Sequence, residues 1–158
     1  MKYLLEPFHS PRIPGVQIPD ELYWIIDDPA PLAGMCRPRS DIPWVKLLSA
    51  GFGHVINLMS TSPDYDSSPL KMAYAVELQD LLSGGPPSDP EREEGLVREV
   101  VHVTKEILDN GEGVIIHCYG GKGRTGMVIG CLLREFGFSS SEIIAGLDRL
   151  QKSRGKAG

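Results

Sequence analysis

The chain is 158 residues long, 41% hydrophobic and carries a net charge of −5. That is enough apolar material for one sizeable core and too little length for two ordinary domains, and the acidic balance excludes a general basic surface for nucleic acid or an anionic membrane. No apolar run approaches a membrane span, the stretch from Met1 to Glu6 has too short an apolar core for a signal peptide, and three cysteines fit a reducing cytosol better than a disulfide framework. A cytoplasmic monomer without membrane insertion is the expectation.

In chain order, residues 1–21 are rich in proline and predict an extended lead-in with little regular structure, followed by one folded domain over 22–158. Strand-like segments fall near 23–26, 32–35, 54–59, 74–79 and 113–117, and helix-like segments near 41–50, 91–109, 124–136 and 141–151. Ser40 or Asp41 is available to cap the first helix. Asp89-Pro90-Glu91 reads as an N-cap with proline at the first helical position, and Asn110-Gly111 as the end of that second helix. Ser139 with Glu142 forms a capping-box pattern before Ile143, Ile144, Leu147 and Leu150. Strands alternating with helices predict an α/β fold: a central, mostly parallel, twisted sheet of about five strands flanked by helices on both faces. Residues 61–69, rich in Ser, Asp and Pro, predict a surface loop bordering a pocket.

The most informative stretch is residues 114–126. Val114-Ile115-Ile116 is a short apolar run that ends in His117-Cys118, passes through Tyr119-Gly120-Gly121-Lys122-Gly123 and enters a helical pattern at Arg124-Thr125-Gly126. A loop joining a strand to a helix N-terminus offers unpaired N–H groups and the positive end of the helix dipole to an anion. Gly120, Gly121 and Gly123 remove side chains that would hold a phosphate off the backbone and allow positive φ, so that successive amides converge. Cys118 opens this loop, in a field that lowers thiol pKa values, and is the candidate nucleophile. Arg124 offers a planar fork to two phosphoryl oxygens, which lysine does not. Thr125 is placed to donate its hydroxyl to the sulfur, and His117 to orient the loop and add positive potential.

Two nucleotide-binding patterns overlap the same residues and fail. Gly121 to Gly126 fits G-x-G-x-x-G, but that fingerprint requires a second strand with an acidic residue about 20 positions on. Only 32 residues follow Gly126, and they read as a capped helix. The P-loop pattern fails because Lys122 is followed by Gly123 and its first glycine position is Ile116.

His117-Cys118-x5-Arg124-Thr125 resembles the signature of the cysteine-dependent protein tyrosine phosphatase superfamily. The chain length, together with Leu32-Ala33-Gly34-Met35, Arg37-Pro38, a helix-like Ile42 to Ala50 and His54-Val55-Ile56-Asn57-Leu58, resembles its small atypical dual-specificity branch over about residues 22–150. The resemblance implies a phosphomonoester hydrolase acting on phosphotyrosine and on phosphoserine or phosphothreonine, needing no metal or cofactor and passing through a phosphocysteine. It also implies an aspartic general acid on a loop after an earlier strand. Asp80, in Glu77-Leu78-Gln79-Asp80-Leu81, stands where relatives carry an apolar-Pro-Asp pattern, with Gln79 in place of the proline and a longer stretch from Ser83 to Pro90. Asp89 is the alternative acid, with Asp64 and Asp66 further candidates.

Lys122 lies where many such protein phosphatases carry a neutral residue, and relatives that act on phosphoinositides carry lysine there. They usually also carry one directly after the cysteine, where this chain has Tyr119. An inositol phosphate or phosphoinositide substrate, and a non-catalytic phosphate-binding relative, are the alternatives. Relatives usually continue past the last helix, so the short tail after Arg154 implies a minimal enzyme or a truncated chain. Cys131 is expected in the core of the helix that follows the loop. Cys36 could shield the nucleophile by a transient disulfide only if the fold brings it close. His9, His54 and His102 are isolated, and read as structural or solvent-facing.

Overall fold

A computed structural model of the chain describes residues 3–80 and 85–155. Its frame is a five-stranded sheet with strand order β1-β2-β5-β3-β4, where β1 is Leu22–Ile26, β2 Leu32–Met35, β3 Phe52–Asn57, β4 Lys71–Ala75 and β5 Gly113–His117. The β1–β2 pair is antiparallel and every other pair is parallel. Helices α1 (Trp44–Ser49), α2 (Pro90–Asp109), α3 (Gly123–Glu135) and α4 (Ser140–Ser153) complete the architecture among the described residues. The fold is thus the single-domain α/β arrangement with a mostly parallel sheet.

Strand alternation divides the interior in two. On one face Leu32, Ile56, Val114 and Ile116 pack against Val100 and Leu108 of α2, Val128 and Leu132 of α3, and Ile143 of α4. On the other, Ala33, Met35, Val55 and Ile115 pack against Leu47 of α1 and against Ile13 and Ile18. Both faces are covered, so β5 at the sheet centre is buried along its whole length, as a near-continuous apolar run requires.

Several expectations shift. Residues 3–21 hold one 3-10 turn, Pro7–His9, and lie against the sheet: Leu5 N–H donates to Ile25 C=O, and Ile13 and Ile18 are buried in the second core. The first helix starts at Trp44 rather than 41. The residue before Pro43 is biased away from helix, the N-terminus has no side-chain cap, and Asp41 instead pairs with Arg39 at 2.8 Å. The fourth strand occupies 71–75, not 74–79. Its first residue, Lys71, is charged and exposed on an edge strand, which hides the start in the sequence pattern. Beyond Ala75 the chain stays extended through Val76 and Leu78, whose N–H groups donate to Asn57 and Leu58 C=O. Beyond Leu78 it leaves the ladder.

Cys131 is exposed, not core. The buried stripe of α3 runs through Val128, Ile129, Leu132 and Leu133, which leaves Met127 and Cys131, one turn apart, on the outer margin beside α2.

Candidate active site

The β5–α3 connection sits at the carboxyl end of the central strand, where open α/β sheets bind ligands. Gly121 is its one positive-φ residue, at 71°, and a Cβ there would come within 2.8 Å of Met35 C and O and 2.9 Å of Cys36 N. Gly120 and Gly123 do not have positive φ, and a Cβ on either meets no protein atom within 4 Å. Their bareness leaves space open instead of relieving the backbone. Cys36 follows β2 directly, with its backbone against this loop.

The Cys118 side chain is buried at the foot of the loop. Burial alone pushes its thiol pKa up. The Thr125 hydroxyl, the backbone N–H groups of Thr125 and Gly121 and the Arg124 charge together outweigh burial, and the thiol is shifted below its ordinary value. Thr125 Oγ1 is fully buried with no hydrogen-bond partner of its own among the described residues, and its hydroxyl is the first of the groups that lower the Cys118 thiol pKa.

Arg124 bridges to the second half of the site. Its side chain is 11% exposed, its Nη1 lies 3.4 Å from Leu78 O, and its Nη2 lies 3.3 Å from Asp80 Oδ2. Forty-four positions of sequence thus close into one ion pair. Gln79 has a role that proline could not fill: its N–H donates to Glu93 Oε1 at 2.8 Å, and its side-chain oxygen accepts from Ser88 N and Oγ. The departure from the family pattern is tied to the longer segment that follows, which it pins to α2.

The other acid candidates are otherwise engaged. Asp89 caps α2 by accepting from Arg92 N, Asp64 pairs with Arg37 at 2.8 Å, and Asp66 accepts from Ser68 N.

His117 is completely buried. Burial is the main cause that lowers its pKa to about 4, with the charges of Arg124 and Arg37 adding to it, so at neutral pH it is uncharged and adds no positive potential. Its Nδ1 lies 3.3 Å from Cys118 O and its Nε2 2.5 Å from the Tyr65 hydroxyl. A neutral ring satisfies both contacts when Nδ1–H donates to the carbonyl and Nε2 accepts from the phenol. Tyr65 comes from the 61–69 loop and stacks on Trp44 at 5.8 Å. With Arg37 and Asn57 it lines a groove of about 220 Å³ beside His117. The sequence pattern points to this loop as the border of a pocket, and nothing in it marks Tyr65.

Tyr119 is 64% exposed at the rim, and Lys122 is half-buried at the N-cap of α3. Among the described residues no group of three or more His, Cys, Asp or Glu side chains converges as a metal site, and no helix is long and apolar enough to cross a membrane.

Cys118 in a loop with backbone amides, Arg124 after it and the Asp80 carboxylate brought in from beyond β4 thus stand together at the carboxyl end of the sheet. A family model described as "Swiss Army Knife protein, DSP-PTPase phosphatase domain" matches residues 19–156, and the chain belongs to this family. The fold is shared with Tk-PTP in its active form (21% identity, 80% of this chain and 81% of that one, TM-score 0.54) and human DUSP28 (17%, 80% and 78%, TM-score 0.56). It is also shared with P. aeruginosa TpbA in complex with phosphotyrosine (16%, 99% and 80%, TM-score 0.58).

Proposed function

We propose that the chain is a protein phosphatase that hydrolyses phosphotyrosine, and phosphoserine or phosphothreonine, through a phosphocysteine on Cys118. The observation that carries this is the convergence of a thiol held below its ordinary pKa, Arg124 and Asp80 on one loop mouth. The loop amides from Tyr119 to Gly123 and the Arg124 fork hold the phosphoryl oxygens, and the Cys118 thiolate attacks phosphorus in line. The P–O bond to the leaving group breaks as Asp80 delivers its proton to that oxygen. Asp80, now a carboxylate, takes a proton from a water that attacks the phosphocysteine. The S–P bond breaks, inorganic phosphate leaves, and Thr125 stabilises the returning thiolate. None of these steps draws on a cofactor. A reactive thiolate of this kind suits a reducing compartment such as the cytosol.

That TpbA was solved with phosphotyrosine supports a phosphotyrosine-sized substrate. Lys122 within the loop favours a second reading, in which the substrate is a more highly charged inositol phosphate.

Purified chain should release p-nitrophenol from p-nitrophenyl phosphate, and Cys118→Ser should abolish this while still binding phosphorylated ligand. Absence of turnover in the parent chain would leave a phosphate-binding relative instead. Rates on phosphotyrosine peptide, phosphothreonine peptide and inositol phosphates then rank the substrate classes.

A further inference from the structure

The phosphate loop is gripped from behind by residues that the reaction does not touch. Tyr23 on β1 is fully buried, and its ring lies over Gly34 of the paired strand, where any Cβ would collide with it. This lets the phenol reach across the sheet and donate to Gly121 C=O. Two residues from the end of α4 meet it there. Gln151 Nε2 approaches the same carbonyl at 3.4 Å and Arg154 Nη1 at 3.1 Å, while Arg154 Nη2 approaches Gly120 C=O at 3.2 Å.

Arg154 is 6% exposed, with its guanidinium 4.6 Å from the Tyr23 ring centroid. Its remaining donors go to Pro19 O, Asp20 O and Gln151 Oε1, so among the described residues every acceptor it has is neutral and none is a carboxylate. A buried cation whose described partners include no counter-ion is an expensive way to gain stability alone. It suits a place beneath an anion site.

In a trans peptide the C=O and the following N–H point in opposite directions. Holding Gly120 C=O behind the loop therefore turns Gly121 N–H forward, and that amide is one of the donors to the Cys118 sulfur. Holding Gly121 C=O turns Lys122 N–H the same way.

We propose that Tyr23, Gln151 and Arg154 form a buried brace that positions the phosphate loop, aiming the Gly121 amide at the nucleophile and the Lys122 amide at the substrate's phosphoryl oxygens. They are positioning residues, and the proposal rests on the phosphatase reading above.

The test uses the whole chain with Tyr23→Phe, which keeps the ring and removes one donor, and Arg154→Lys, which keeps the charge and removes the fork. Two readouts are taken on each: the pH midpoint of Cys118 alkylation by iodoacetamide, followed on the Cys118 peptide by mass spectrometry, and kcat/KM for p-nitrophenyl phosphate. The brace predicts an alkylation midpoint raised by about one pH unit and kcat/KM lowered by about tenfold in Tyr23→Phe, at unchanged far-UV circular dichroism. Arg154→Lys, where folded, should do the same or more. Variants that melt at lower temperature while both readouts stay within about twofold of the parent would reduce the cluster to packing and overturn the proposal. If the parent chain shows no turnover, the phosphatase reading fails, and the alkylation midpoint still decides whether the brace sets the thiol.

Discussion

Arg124 and Asp80 meet at 3.3 Å, so the residue that would bind the phosphoryl group also holds the residue that would protonate the leaving group. The pair is asymmetric: the arginine side chain is 11% exposed and the aspartate 45%. A phosphate entering the loop competes for the same guanidinium. Substrate binding would then release the carboxylate towards the leaving oxygen. The expected pH profile of kcat/KM rises as Cys118 ionises, below the usual thiol range. Asp80→Asn should lower kcat by roughly 100-fold or more on poor leaving groups. An undiminished rate in Asp80→Asn on poor leaving groups would transfer the acid role elsewhere, with Asp89→Asn as the parallel variant.

His117 makes an acid-stability prediction. Its pKa in the folded chain is lowered to about 4 from the ordinary 6.5, so protons bind the unfolded state more readily. The stability linked to its neutral form is complete above about pH 6.5 and is lost as pH falls towards 4, by about 3 kcal/mol as an upper bound. Urea melts between pH 7 and 4 should show a shallower decline in His117→Gln than in the parent, and equal slopes would contradict the neutral buried imidazole. Tyr65→Phe should cost about 1–3 kcal/mol by leaving Nε2 without its donor.

The loop glycines should separate by role. Gly121→Ala forces a side chain onto a φ of 71° and against the backbone of Met35 and Cys36, which cannot swing away, and should destabilise the chain by at least about 1–3 kcal/mol. Gly120→Ala meets no protein atom within 4 Å and should leave the melting temperature nearly unchanged while weakening phosphate binding. Thermal melts with and without vanadate distinguish the two. A Gly120→Ala variant with full vanadate affinity would show that the open space is not used by the anion.

Restoring the family's proline at Gln79 should harm this chain. Gln79→Pro deletes the N–H that donates to Glu93 and the side chain that accepts from Ser88, at a cost of about 1 kcal/mol or more, with a lower kcat because Asp80 follows directly. Equal stability and rate would mean that the bond between Gln79 and α2 has no bearing on where the acid sits.

Local patterns carried most of the architecture. The capping box forms as read: Ser139 Oγ accepts from Glu142 N, and Glu142 accepts from Ser139 N. Asp89 caps α2 with Pro90 behind it, and the strand, loop and helix around Cys118 fall within a residue or two of expectation. What stayed hidden was assembled by distance. Tyr23 and Gly121 are 98 positions apart and Arg154 and Pro19 are 135, and no periodicity marks either pair. Tyr65 lies in a polar loop with nothing to distinguish it until the fold sets it against His117. Cys131 misled for a different reason: spacing of three and four identifies a helix but leaves the edge of its apolar stripe uncertain by one position, and Met127 and Cys131 occupy that edge.

The central claim is that Cys118 carries the phosphoryl group between the two halves of the reaction. The direct measurement is an acid quench of the chain during turnover of p-nitrophenyl phosphate, with the Cys118 peptide analysed by mass spectrometry. One phosphate is expected on Cys118, accumulating in Thr125→Ala, where loss of sulfur from phosphorus is slowed, and absent from Cys118→Ser. Turnover with no phosphate on Cys118, or with the phosphate on another residue, would contradict it.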